Sequence, residues 1–115
     1  MPSLPLPPVP QRLREMLAEH PGHIERLQEA LNTVIEKPSK STPPFEVAIW
    51  VLESRLGTFI TEARDQLKAA EASGDVEAIS RAKQAELLMS KARSVNGGMS
   101  DLGELWAYFE QRKGR

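Results

Sequence analysis

A chain of 115 residues and 12.8 kDa has room for one hydrophobic core, and 40% apolar against 27% charged residues is a composition that collapses rather than staying disordered. Fifteen basic against sixteen acidic side chains give a formal net charge of −1, which argues against a protein held to nucleic acid by a strong positive field. The absence of cysteine excludes disulfide frameworks and thiolate metal sites and suits a reducing compartment.

Five of the nine prolines fall in the first ten residues, where fixed φ and missing amide hydrogens predict a polyproline II arm over 1–8. The same residues lack the basic start and apolar stretch of a secretory signal, and the longest apolar run, 47–52, is far short of the roughly 20 residues that cross a bilayer. A soluble, cytoplasmic protein with no membrane contact is therefore expected.

From Val9 the spacing becomes helical. Val9, Leu13, Met16 and Leu17 share one face of a first helix over 9–19, with Pro10 suited to its first turn. His20-Pro21-Gly22 breaks it. A second helix over 22–37 follows on Ile24, Leu27, Leu31 and Val34, with Ile35 alongside. The proline-rich connector up to Pro44 offers Ser41 or Thr42 as a cap for a third helix over 43–72. That helix carries the clearest seam in the chain, Phe45, Ile49, Leu52, Leu56, Phe59, Ala63, Leu67 and Ala70, and would be about 40 Å long. Its start is apolar nearly all round, which predicts neighbours on more than one side.

Ser73-Gly74-Asp75 supplies a glycine to close one helix and an aspartate to cap the next, so an antiparallel hairpin is expected. The fourth helix, over 75–95, lines one face with Ala78, Ala82, Ala85, Met89 and Ala92, small residues that let two backbones approach. Asn96-Gly97-Gly98 ends it, and a last helix over 100–112 places Leu102, Leu105, Trp106 and Phe109 on one wide face. No strand pattern is present. The sequence thus predicts an all-α fold, a single domain over 9–113 made of about five helices around a long central hairpin.

Four patterns are candidates for function. Leu6-Pro7-Pro8-Val9-Pro10-Gln11-Arg12 has the order of an SH3-type ligand, in which Pro7 and Pro10 would fill two aromatic-lined grooves and Arg12 an acidic pocket. The first two helices have the outline of a helix-turn-helix, with Arg26, Gln28 and Asn32 able to reach base edges. Against that, Arg26 and Lys37 face Glu25, Glu29 and Glu36 on the same helix, so nucleic acid is disfavoured. Trp106, Tyr108 and Phe109 would either anchor a protein partner or close one end of the core against Trp50 and Phe45. The seam of Ile49, Leu52, Leu56 and Phe59 would be core under the first two helices or the interface of a homodimer.

His20 and His23, separated by Pro21-Gly22 and lacking a third marked ligand, read as a solvated turn rather than a metal site. Hydrolytic triads, phosphate loops and zinc-binding helices would leave signatures, and none is present, so neither catalysis nor a cofactor is expected. The resulting expectation is a non-enzymatic protein–protein interaction module: an adaptor, inhibitor or assembly factor. A helical nucleic-acid-binding regulator and an SH3-type ligand are the alternatives.

Overall fold

The computed structural model describes residues 6–113, in which five α-helices and no strand occur: α1 (Gln11–Met16), α2 (Pro21–Glu36), α3 (Pro44–Ser73), α4 (Val76–Arg93) and α5 (Gly103–Lys113). A single 3₁₀ turn, Gly98–Ser100, lies between the last two. The chain is all-α, as its periodicity predicts.

The hairpin forms on the turn the sequence marks. Gly74 closes α3 at φ 74°, a left-handed conformation that costs glycine nothing. The carboxylate of Asp75 then accepts the first free amides of α4, from Glu77 at 3.0 Å and Ala78 at 3.3 Å, an arrangement worth about 1 kcal/mol. With 30 residues α3 overhangs the 18-residue α4 by about three turns.

The overhang and the half of α3 next to it are sheathed. α2 lies along one flank, α5 meets the beginning of α3, and α1 sits on the 3₁₀ turn and the end of α4. Leu13, Leu17, Leu27, Leu31, Leu52, Leu56, Phe59, Met89 and Leu105 are fully buried where these helices converge. Gly98 is buried at the crossing of α1 and α4, where an added Cβ would run into the carbonyl of Ala92 and the side chain of Leu13. The far half of the hairpin has no third helix against it. Consequently the molecule is elongated, 57 × 28 × 22 Å with a radius of gyration of 16.2 Å, where about 13 Å is usual for this length.

Several boundaries differ from the periodicity, each for a local reason. α1 closes at Met16 rather than 19 because Leu17 leaves helical geometry and its N–H turns back to Leu13. Pro21 starts α2 instead of breaking a helix, since its missing amide hydrogen is no loss at that position. Neither Ser41 nor Thr42 caps α3: both donate their N–H groups to the Ser39 hydroxyl, and Pro43 stands at the cap position without a side-chain bond. α4 ends at Arg93 rather than 95, and α5 begins at 103 rather than 100, because the Met99 amide reaches the Ser94 carbonyl and folds the intervening residues into the 3₁₀ turn.

The arm is the largest correction. Residues 1–5 lie outside the described region, but Pro7 and Pro10 are fully buried and Val9 is 3% exposed. The Gln28 side-chain amide also donates to the Pro7 carbonyl at 2.8 Å. From Pro7 onward the proline-rich segment is packed structure rather than a free arm. A chain lacking residues 1–8 should therefore lose about 1–3 kcal/mol in urea denaturation, from lost apolar burial and the lost hydrogen bond from Gln28; an unchanged unfolding midpoint would show that the segment is not part of the core.

Candidate functional site

A cavity of about 780 Å³ forms an open groove between the first turns of α3 and the face of α5. Phe45 and Ile49, four residues apart on α3, and Trp106 and Phe109, three apart on α5, project toward each other because helical spacing places each pair on one face. Pro43 and Pro44 form the end wall as the chain enters α3. The Trp106 ring stands edge-on to Phe45, centroids 5.0 Å apart at 82°, a favoured geometry for the two quadrupoles. Phe109 is buried, Phe45 and Ile49 are half-buried, and Trp106 is 49% exposed.

Two carboxylates, Glu46 and Glu110, complete the lining. Neither belongs to any of the ion pairs found among the described residues. Glu104, also on α5, is neutralised by Arg14 at 3.0 Å.

Of the residues singled out in the sequence, Trp106 and Phe109 meet in this groove. Tyr108 turns aside and packs edge-on against Phe109, centroids 5.0 Å apart. Phe45 faces Trp106 but Trp50 does not: five residues further on, it points about 140° away around α3. There it is 58% exposed and borders a shallower cavity of about 350 Å³ with Val47, Val51 and Arg55. Ile49 belongs to the groove wall, whereas Leu52, Leu56 and Phe59 lie inside the chain's own core. That part of the seam has no side left to offer a second copy. Pro43, Pro44, Glu46 and Glu110 carry no pattern that marks them in the sequence.

The remaining candidates are engaged within the fold. Arg26 forms a two-pronged pair with Glu62 at 2.8 and 2.9 Å, its guanidinium 4.6 Å from the Phe59 ring centre. Gln28 donates to Pro7 and, at 2.9 Å, to the Asn32 side-chain oxygen. The three side chains placed to read bases are thus turned to intramolecular bonds. Likewise, Pro7 and Pro10 are buried while Arg12 sits on helical α1, so the extended, exposed ligand that an SH3-type groove requires is not formed.

His20 and His23 do not form a solvated turn. The His23 ring stacks on Phe59, centroids 4.1 Å apart, and on His20 at 5.2 Å. No group of three metal-ligating side chains occurs among the described residues. Burial, then the neighbouring His20 and Arg26, push the His23 pKa below its ordinary value, with Glu62 opposing. Hydrogen bonds from Arg26 hold the Glu62 carboxyl below the usual carboxylate range.

Fold and site together define a small all-helical chain with an apolar, acid-rimmed groove at one end. Comparison with protein-family models, with curated proteins and with solved structures finds no match.

The His23 environment has a definite sign. Well above about pH 6.5 the imidazole is neutral folded and unfolded; as pH falls, the unfolded chain takes up the proton first and stability declines. Melting temperature should therefore drop between pH 7.5 and 5.5, and drop less in a His23→Leu variant. Equal losses in the two proteins would show that His23 is not the group responsible.

Proposed function

We propose that this chain is a non-enzymatic protein–protein interaction module, an adaptor, inhibitor or assembly factor, which holds its partner in the groove between α3 and α5. The observation that carries the reading is Trp106, half-exposed and braced against Phe45 over a cavity of about 780 Å³. Aromatic side chains seated this way dominate binding energy elsewhere, because they bring large apolar area at little cost in side-chain freedom. The walls are apolar and, among the described residues, the titratable groups on them are Glu46 and Glu110, a lining suited to apolar surface rather than to turnover. Among the described residues no helix is long and apolar enough to cross a membrane. Together with the absence of cysteine, that favours the cytoplasm as the place of action.

The test is the Trp106→Ala variant. Proteins retained by the full chain in native extract are compared by quantitative mass spectrometry with those retained by the variant, and the affinity of the partner so defined is then measured by calorimetry. Removing the indole should weaken the partner by tenfold or more, equivalent to about 1.4 kcal/mol or above, with little change in melting temperature because the side chain is half-exposed. A partner bound equally by both proteins would place the interface elsewhere.

A further inference from the structure

We propose that the occupant of the groove is a basic amphipathic helix, which lays an apolar stripe on Phe45, Ile49 and Trp106 and sets lysine or arginine against Glu46 and Glu110. The inference rests on the reading of the groove as a docking site and adds the chemistry of what docks there.

Shape comes first. The α3 wall runs over 43–49, about 10 Å or two helical turns. Its partner wall is another helix, and two helices set side by side leave a furrow into which the ridge of a third can pack. Two turns of contact call for apolar anchors at i, i+3 or i+4, and i+7.

Charge then selects among helices. Among the described residues the lining holds two carboxylates and no cation, and neither carboxylate has an ion-pair partner there. Of the two glutamates of α5, Glu104 is neutralised by Arg14 at 3.0 Å, whereas Glu110, at the rim of the groove, has no such partner among the described residues. A second copy of this chain seated through the same face would bring a second acidic rim and, among the described residues, no lining cation to meet the first, since a two-fold contact pairs a surface with itself. Phosphate-bearing partners, nucleic acid or anionic lipid, meet the same repulsion. A helix with basic residues flanking its apolar stripe turns the two carboxylates from an obstacle into a source of register and orientation.

The experiment is panning of a phage-displayed library of randomised 16-residue helical peptides on the full chain at low salt. The expected outcome is enrichment of apolar anchors at i, i+3 or i+4, and i+7 flanked by lysine and arginine. Binding of the selected peptides should be lost with Trp106→Ala and weakened roughly fivefold or more by physiological salt. Panning on the Glu46→Lys, Glu110→Lys double variant, whose fold is checked by circular dichroism, should select acidic flanks instead. If that variant does not fold, the salt dependence of wild-type binding decides. Peptides that need Trp106 but carry neutral or acidic flanks would overturn the charge inference and leave the docking groove standing. Recovery of no peptide sensitive to Trp106→Ala would overturn both. A dimer in sedimentation that Trp106→Ala dissociates would likewise overturn the proposal, in favour of a second copy.

Discussion

Two antiparallel helices laid side by side cover each other along one stripe only, and α3 is apolar over far more than one stripe at its beginning. Phe45, Val47, Ala48, Ile49, Val51 and Leu52 point in nearly every direction around the helix axis. Cover for that stretch has to come from the rest of the chain, and the placement of α1, α2 and α5 follows from it. α2 takes one flank, the 3₁₀ turn carries the chain from α4 back toward α1, and α5 crosses the start of α3. The cover is not complete at the crossing, and the groove is what remains open. By contrast, the far half of the hairpin carries small residues at Ala70, Ala78 and Ala82 on its helix faces, Ala82 being buried without a third helix against it. There Val76 stands 77% exposed.

Phe59 is the point at which the sheath is fastened. Its ring is buried between α2, α3 and α4, with His23 stacked on it and the Arg26 guanidinium above it, while Glu62 one turn further along α3 holds the two arms of that guanidinium. A half-buried arginine doubly bonded to a carboxylate fixes how far α2 is slid along α3 more firmly than apolar contact alone. The same bonds occupy the Arg26 guanidinium within the fold. A feature that reads as a base-contacting residue when α2 is considered by itself is thus a positioning contact once α3 lies beside it.

How much of this was legible depends on the distance along the chain over which each feature is determined. The hairpin was legible because everything that makes it is local: a seam at steps of three and four, a glycine that tolerates φ 74°, and an aspartate two and three residues before the amides it binds. The packed proline segment was not, because the bond that holds it comes from Gln28, 21 residues away, and polyproline composition is the same whether the strand is free or covered. Nor was the groove. Phe45 and Trp106 belong to opposite ends of the chain, and which of Phe45 and Trp50 faces α5 is decided by the direction in which α5 crosses α3. The sequence placed Trp106 and Phe109 among the candidates through their clustering, yet the carboxylates that give the groove its charge looked like any other surface glutamates.

Native-state hydrogen exchange, resolved residue by residue along α3, tests the half-sheathed hairpin most directly. Amides over 48–63, covered by α2 and, past the overhang, by α4 as well, should exchange only through global unfolding, whereas those over 66–72 should exchange through local opening of the hairpin end at a markedly lower free energy. Uniform protection from 48 to 72 would overturn the architecture, because it would mean that the far half of the hairpin is held by cover as extensive as that of the near half.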